Sequence, residues 1–381
     1  MIYFDNAATT LIKPQAVTMA MANAVKTLAS PGRGGYPAAA AAAEKAYACR
    51  EEAARLFNVP DPSRVVFTLN ATHALNIAIK SLATKGDRVV ISGYEHNSVF
   101  RPLGAIGAEA VVAASPLFDS EAAAEAFEDK LTSDTRLAVV NYGSNVLGFI
   151  LPVQRISELC RRRRIPLIID ASQAAGVLPV DFEALAADFI AMPGHKSLYG
   201  PQGTGLLICS HEGRTLIEGG SGSDSRLPVM PDYLPDRLEA GTHNMPGIAG
   251  LLEGLRFVRR TGINKIRSRE RFLLRLAEEL LEPLDEVELY AAEEPAQQAA
   301  VLSFNVRGVD CQEIAEMLAG RGIAVRAGVH CAPRAHKSAG TEKSGTVRMS
   351  FSYFNNEKEV REFVRELKAI IYIRLRQRTA W

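Results

Sequence analysis

The residue with the most specific chemistry in this sequence is Lys196. It stands in Gly194-His195-Lys196, directly after the apolar segment 188–192 and before the glycine-rich segment 199–205. A lysine at the end of a buried strand is partly desolvated, and desolvation favours the neutral amine that attacks an aldehyde. The tripeptide taken alone fits a solvent-exposed lysine equally well, because short patterns also occur by chance.

Three further polar residues follow apolar segments in the same way. Asp170 suits an ion pair with a pyridinium nitrogen, or it caps a turn. Thr72 stands at a helix start that favours phosphate, or it is a plain N-cap. His96 lies flat on a ring, or it is a polar loop residue. Together with Lys196 they are the parts that a pyridoxal 5′-phosphate site requires.

Cys331 is the candidate sulfur nucleophile. It follows His330, and the segment from it to residue 346 has the glycine, proline and polar content of a loop. A loop cysteine beside a histidine is a candidate thiolate, although most free cysteines are inert and buried. A metal site at His330, Cys331 and His336 lacks a clear fourth ligand, so we predict no metal. We expect inert buried thiols at the remaining cysteines, Cys49, Cys160, Cys209 and Cys311.

Apolar strands alternate with helical patterns over the first two thirds of the chain. The strands are predicted at 64–69, 88–92, 110–114, 137–141, 166–170, 188–192 and 205–209. The helices between them are predicted at 71–82, 99–106, 121–131 and 153–163. This alternation indicates an α/β fold with a mainly parallel sheet and helices on both faces. Ligands bind beyond the carboxyl ends of such strands, so the polar residues above should converge there.

The pattern changes after about residue 245. Helices are predicted at 246–259, 264–281, 311–319 and from 357 onward, with strands at 287–291, 300–306, 323–326 and 346–352. A chain of 381 residues favours two domains. We therefore predict a large cofactor-binding domain at 15–250. Residues 1–14 and 251–381 are predicted to form a smaller α+β domain that carries the cysteine loop.

Composition excludes several classes of protein. The formal net charge is +1, which does not favour nucleic acid or a membrane surface as a partner. The run of four arginines at 161–164 is expected at the C-terminal end of a helix. No apolar run has the length of a membrane span, and the first residues do not have the pattern of a signal peptide. Five scattered cysteines are typical of a reducing cytoplasmic setting.

The sequence resembles the cysteine desulfurases and selenocysteine lyases, which form part of the class V aminotransferase branch of fold-type I pyridoxal-phosphate enzymes. The resemblance covers nearly the whole chain and implies a seven-stranded sheet in the large domain. The segments that carry it are Asp5-Asn6-Ala7-Ala8-Thr9-Thr10, Glu95-His96-Asn97, Ser144-Asn145-Val146-Leu147-Gly148, Asp170-Ala171-Ser172-Gln173, Gly194-His195-Lys196, Arg326-Ala327-Gly328-Val329-His330-Cys331-Ala332 and the strand with Arg348.

The resemblance also implies roles for individual residues. Lys196 binds the cofactor aldehyde and moves protons. Thr242 reaches the phosphate of a neighbouring subunit, which implies a homodimer with shared sites. The other implied cofactor contacts are Asp170 at the ring nitrogen, Gln173 at the ring hydroxyl, His96 on the ring, and Thr72 and His195 at the phosphate. The implied substrate contacts are Arg348, Asn145 and Ala8. Arg326 is a second candidate for the substrate carboxylate, or it is a solvent-exposed arginine at a strand end.

The implied reaction is the conversion of L-cysteine to L-alanine, with a persulfide on Cys331 and a sulfur-acceptor protein as a partner. Selenocysteine lyase, another β-lyase, a transaminase and a non-catalytic scaffold remain alternatives. Two positions depart from the family pattern. Pro193 stands where relatives often have a phosphate-binding serine, and Val329 stands where many have a second histidine.

Overall fold

The strands of the protein form one large sheet and two small ones. The computed structural model describes residues 1–32 and 34–378. The strands are β1 (Ile2–Tyr3), β2 (Val65–Thr68), β3 (Arg88–Ser92), β4 (Glu109–Ala113), β5 (Thr135–Asn141), β6 (Leu167–Asp170), β7 (Phe189–Pro193), β8 (Gly205–Cys209), β9 (Val287–Tyr290), β10 (Val301–Val306), β11 (Ile323–Ala324), β12 (Arg326–Gly328) and β13 (Thr346–Ser350).

Twelve α-helices accompany these strands within the described residues. They are α1 (Gln15–Thr27), α2 (Pro37–Phe57), α3 (Ala71–Leu82), α4 (Asn97–Ile106), α5 (Ser120–Lys130), α6 (Val153–Arg163), α7 (Phe182–Leu185), α8 (Met245–Thr261), α9 (Ile263–Leu281), α10 (Cys311–Ala319), α11 (Pro333–Ser338) and α12 (Glu357–Arg378). No described helix has the length and apolar character needed to cross a membrane.

The large sheet has seven strands in the order β2-β8-β7-β6-β5-β3-β4. Its strands are parallel except β8, which runs antiparallel to both β2 and β7. Helices α3 and α4 cover one face, and α2, α6 and α8 cover the other. Because both faces are buried, the inner strands are continuously apolar, as in β5, where residues 137–140 are fully buried. The predicted seven-stranded, mainly parallel α/β sheet is confirmed.

The C-terminal part contains an antiparallel sheet in the order β12-β13-β10-β9. The start of the chain packs against this C-terminal part. Strand β1 pairs in parallel with β11, and Phe4 packs edge-on against Phe351 and Phe363. A separate apolar cluster binds these strands to α9, α10 and α12. This arrangement agrees with the predicted α+β character of the region. The domain boundaries at 15–250 and 251–381 remain a prediction.

Three local predictions were incomplete or wrong. Helix α1 was not predicted, because only Val17 and Ala24 of its residues are buried and the apolar periodicity is weak. The predicted loop 331–346 contains helix α11. This helix begins at Pro333, a residue that is favoured in the first turn of a helix. The predicted strand 323–326 divides into β11 and β12, which pair with different strands.

Candidate active site

A cavity of about 530 Å³ lies at the carboxyl ends of the large sheet's strands. Residues that follow β2, β3, β5, β6 and β7 line it. The strands run in parallel from β3 to β7, so their ends meet at one edge and bring together residues far apart in sequence. The predicted site residues that line this cavity are Thr72, His96, Asn145, Asp170, Gln173, His195 and Lys196.

Lys196 lies just beyond β7. Its backbone carbonyl accepts hydrogen bonds from Tyr199 N at 2.9 Å and from Thr10 Oγ1 at 3.0 Å. Within the described residues its Nζ makes no hydrogen bond or ion pair. Burial lowers the pKa of Lys196 to about 8, and the Asp170 carboxylate opposes that change. A substantial fraction of the amine is therefore neutral near neutral pH, as nucleophilic attack on an aldehyde requires.

Asp170 ends β6 and is 5% exposed. Its Oδ1 accepts a hydrogen bond from Ser172 N at 2.9 Å, so one carboxylate oxygen is held by the backbone. Gln173, one turn later, donates from Nε2 to the Ala7 carbonyl at 3.0 Å and so links the cavity to the N-terminal segment. The carboxylate and the amide are both fixed on one wall of the cavity.

His96 and Thr72 are joined by Ser98, which sequence reasoning missed. Ser98 Oγ lies 2.7 Å from Thr72 Oγ1 and 2.9 Å from His96 Nδ1. Ser98 N donates to His96 Nδ1 at 3.0 Å, which assigns the imidazole proton to Nε2. Burial lowers the pKa of His96, so the ring is neutral at physiological pH. The sequence signal that could have indicated Ser98 is its position at the start of α4, two residues after His96.

The start of α3 also faces the cavity. Asn70 caps the helix by accepting a hydrogen bond from His73 N at 2.9 Å. The N–H groups of Ala71 and Thr72 have no partner among the described residues, as expected for the first amides of a helix. Such amides bind anions. Free amides, an amine, a carboxylate and an imidazole around one cavity fit pyridoxal 5′-phosphate.

His195 lies beside Lys196 on the same wall. Its Nδ1 lies 3.0 Å from Thr9 Oγ1, and its carbonyl accepts a hydrogen bond from Lys13 Nζ at 2.7 Å. Burial, together with the smaller effects of the neighbouring Lys196 and Lys13, lowers the pKa of His195 to about 4. The imidazole is therefore neutral and acts through hydrogen bonds.

Glu95 is a buried acid directly behind the cavity, 1% exposed. Its Oε1 lies 2.6 Å from Ser92 Oγ and 2.8 Å from Asn141 N. Asn141 Nδ2 donates to the Tyr94 carbonyl, so Asn141 Oδ1 is the atom 2.8 Å from Ser92 Oγ and requires the single Ser92 proton. The Glu95–Ser92 contact then needs a proton from Glu95. Burial, with a smaller contribution from Asp170, raises the pKa of Glu95 to about 8, which agrees with a neutral acid.

Cys331 and His330 both have left-handed backbones, with φ of 56° and 47°. This conformation is uncommon for residues other than glycine and persists where neighbours hold it. Asn97 N donates to the Cys331 carbonyl at 2.8 Å, and Asn145 Nδ2 donates to the His330 carbonyl at 2.9 Å. Two groups beside the cavity therefore fix the cysteine loop.

Cys331 is the exposed cysteine among the five, all of which are described, and the predicted burial of the other four is confirmed. It lines a second cleft of about 660 Å³ together with Thr72, His96 and Arg101. Thr72 and His96 also line the cavity that contains Lys196. The thiol and the amine therefore lie in adjoining spaces that share walls.

His330 and His336 stack with ring centroids 5.7 Å apart. Burial, together with the smaller effect of the Arg348 guanidinium, lowers the pKa of His330 to about 2, so this ring is neutral. Its Nε2 lies 3.1 Å from the Thr346 carbonyl and therefore carries the proton. Across residues 1–32 and 34–378, no group of three or more His, Cys, Asp or Glu side chains is placed to hold a metal.

Arg348 is not among the residues that line the Lys196 cavity, and it is 2% exposed. Its Nη2 donates to Asp5 Oδ1 at 2.6 Å and its Nη1 donates to the Asn145 carbonyl at 2.8 Å. Arg326, its partner in register on the neighbouring strand, is exposed. Ala8 donates from its N–H to the Asp5 carbonyl at 3.1 Å. The predicted substrate-binding cations are thus one buried and one accessible arginine.

Thr242 lies apart from the Lys196 cavity of its own chain. It lines a separate cavity of about 610 Å³ with Glu239 and His243. Arg50 holds Glu239 through a two-nitrogen ion pair at 2.7 and 2.6 Å, and His243 Nε2 lies 2.5 Å from the same carboxylate. These contacts anchor the segment that contains Thr242. The cavity that Thr242 lines is different from the one that Lys196 of the same chain lines.

The chain belongs to the class V aminotransferase family, whose model matches residues 2–363. A relative from Methanothermobacter thermautotrophicus, described as a probable cysteine desulfurase, is 34% identical and covers 94% of this chain and 92% of its own length. A probable cysteine desulfurase from Pyrococcus abyssi is 32% identical over 97% of this chain and 94% of its own. The chain spans only 55% of the length of another, from Mycolicibacterium paratuberculosis, at 33% identity over 97% of this chain.

Solved structures give the same result. The apo structure of a cysteine desulfurase from Thermococcus onnurineus superposes with a TM-score of 0.88 at 30% identity, covering 97% of this chain and 94% of that one. The cysteine desulfurase CsdA from Escherichia coli gives 0.86 at 27% identity with the same coverage. The predicted family, fold class and enzymatic nature are confirmed. The family uses pyridoxal 5′-phosphate, so the predicted cofactor is confirmed as well.

Proposed function

We propose that this protein is a cysteine desulfurase that converts L-cysteine to L-alanine and retains the sulfur as a persulfide on Cys331. The observation that carries the proposal is the pair of adjoining spaces. Cys331 lines one of them, Lys196 lines the other, and Thr72 and His96 line both. A transaminase needs Lys196 but has no use for an exposed thiol at that place.

The cavity residues would hold pyridoxal 5′-phosphate, which supplies an electron sink for the α-carbon of a bound amino acid. Lys196 would bind its aldehyde and Asp170 would keep its ring nitrogen protonated. The other proposed contacts are Gln173 for the ring hydroxyl, His96 for the ring face, and Thr72, His195 and the free amides of residues 71 and 72 for the phosphate.

Pro193 stands where relatives often have a phosphate-binding serine, and Ser98 is our candidate for the residue that replaces it. Proline offers neither a hydroxyl nor an N–H, so position 193 has no donor for a phosphate. Ser98 Oγ lies 2.7 Å from Thr72 Oγ1 and lines the same cavity. Two hydroxyls beside the start of α3 therefore support phosphate binding without a contribution from Pro193.

The chain's own groups account for the remaining steps. Neutral Lys196 Nζ would take the proton from the substrate α-carbon. The Cys331 thiolate would bond to the substrate sulfur as the carbon–sulfur bond breaks, and the bonding electrons would stay with the substrate β-carbon, which takes up a proton. Return of a proton from Lys196 to the α-carbon would then give alanine and leave a persulfide on Cys331. Arg348 would bind the substrate carboxylate, with Asn145, Arg326 and Ala8 as the further substrate contacts.

We further propose a cytoplasmic homodimer in which Thr242 reaches the partner's phosphate. Thr242 lines a different cavity from Lys196 of its own chain, which supports this arrangement. A sulfur-acceptor protein is the proposed second partner, and the exposure of Cys331 supports transfer to an external thiol.

Cysteine and selenocysteine supplied separately to the purified holoenzyme test the proposal. With dithiothreitol present to reduce the persulfide, we expect alanine and sulfide from cysteine, and loss of at least ~100-fold in rate for Cys331→Ser, because the nucleophile is removed. Cys311→Ser, a buried thiol elsewhere, is the matched control and should retain activity. Keto-acid formation that survives Cys331→Ser would indicate a transaminase, and turnover of selenocysteine alone would indicate a selenocysteine lyase.

A further inference from the structure

The guanidinium of Arg348 is only partly satisfied. It presents five N–H groups in a planar fork, of which Nη1 binds the Asn145 carbonyl at 2.8 Å and Nη2 binds Asp5 Oδ1 at 2.6 Å. Its Nε is buried and has no hydrogen-bond partner within the described part of the chain. A buried donor without an acceptor is unfavourable, and it marks a place where a further acceptor binds.

Asp5 meets this fork with one oxygen. Its side chain is 21% exposed, whereas that of Arg348 is 2% exposed. The backbone of Asp5 is held independently, because its carbonyl accepts hydrogen bonds from Tyr3 Oη at 3.2 Å and Ala8 N at 3.1 Å. The carboxylate can therefore rotate away from Arg348 while the N-terminal segment stays in place.

The ion pair lies beside the candidate active site. Asn145, whose carbonyl binds Arg348, lines the Lys196 cavity. Asp5 and Arg348 both act on the pKa of Lys196, which Asp5 raises and Arg348 lowers. Asn145 therefore connects the guanidinium to the cavity wall, and the ion pair acts electrostatically on the amine inside the cavity.

We propose that Asp5 competes with the substrate: it occupies Arg348 in the free enzyme and is displaced by the substrate carboxylate. The inference deepens the proposed function. A substrate carboxylate with two oxygens can accept from Nε and Nη2 together, and so satisfies the donor that Asp5 leaves free. A ligand without a carboxylate gains nothing that offsets the broken ion pair. Asp5 thus raises the concentration of substrate required, whereas an uncharged analogue leaves the ion pair intact and is not affected by it.

Asp5→Asn tests the proposal through the binding of L-alanine and of alaninamide, which lacks the carboxylate, to the holoenzyme. We expect alanine to bind about tenfold more tightly, the factor typical of one charge-assisted hydrogen bond, since Arg348 no longer has a competing anion. Alaninamide should be unaffected. Spectral titration and ligand-dependent shifts in melting temperature both report these affinities, and the KM for cysteine should fall more than kcat changes.

Tyr3→Phe is the matched control, because it loosens the same segment and keeps the carboxylate. It should not tighten alanine binding. Asp5→Glu is the second variant should Asp5→Asn fold poorly. Because it keeps a carboxylate, its affinities for alanine and alaninamide should stay at the wild-type values. Weaker alanine binding in Asp5→Asn, or equal tightening of alaninamide, would overturn the inference. Binding of alanine is measured without desulfuration, so failure here is distinct from a failure of the proposed reaction.

Discussion

Replacement of Glu95 by glutamine should reverse the order of stability between wild type and variant as the pH rises. Burial raises the pKa of Glu95 from 4.5 to about 8. One pKa unit corresponds to about 1.36 kcal/mol, so a shift of this size amounts to roughly 5 kcal/mol. Glutamine does not titrate. Its oxygen can accept from Asn141 N, but that atom cannot donate to Ser92, so the variant loses one hydrogen bond at every pH, worth about 1 kcal/mol.

The sign follows from linkage. A raised pKa in the folded state gives stability that is complete below the unfolded pKa and is lost as the pH rises through the folded pKa. Wild type should therefore be more stable than Glu95→Gln by about 1 kcal/mol near pH 4.5, and less stable by roughly 4 kcal/mol above pH 8.

Urea unfolding of the cofactor-free protein at a series of pH values measures this difference. Glu316→Gln, on the exposed side of α10, is the control and should show a constant difference from wild type. A protonated carboxylic acid should also appear in the infrared difference spectrum between wild type and Glu95→Gln at neutral pH. A stability difference that stays flat, or that grows in favour of wild type at alkaline pH, would refute the proton assignment.

Lys196 of the cofactor-free protein should condense with pyridoxal 5′-phosphate faster as the pH rises, with a midpoint near 8, because burial lowers its pKa. Stopped-flow absorbance measures the rate, and a midpoint at the ordinary lysine value would contradict this. Arg50→Ala should destabilise the protein by about 3–5 kcal/mol, since Glu239 is left buried without its cation. Thermal unfolding measures the loss, and a variant as stable as wild type would show that the pair is not needed.

Much of the fold was predictable because both faces of the large sheet are covered. A strand buried on both sides is a short apolar run. Such runs at 88–92 and 205–209 coincide with β3 and β8, and the run at 137–141 lies within β5. The direction of β8 was not predictable in this way. An antiparallel strand within a fully covered sheet has the same apolar composition as its parallel neighbours, since burial and not direction decides which residues it contains.

The candidate site was predictable where a residue directly follows a strand, as Asp170 and Lys196 do. Contacts that depend on side-chain direction were not. Ser98 lies between Thr72 and His96 because the first turn of α4 points it there. The ion pair of Arg348 with Asp5 joins positions 343 residues apart, and no local pattern encodes it. The proton on Glu95 follows only from counting donors and acceptors around Ser92.

The hydrogen bond from Asn97 to the Cys331 carbonyl ties two chemically distinct parts of the enzyme together. Asn97 is the first residue of α4 and directly follows His96. An outward movement of Cys331 would have to break this hydrogen bond and free the leading amide of that helix. Displacement of the cysteine would therefore be coupled, through a single peptide unit, to the residue next to His96.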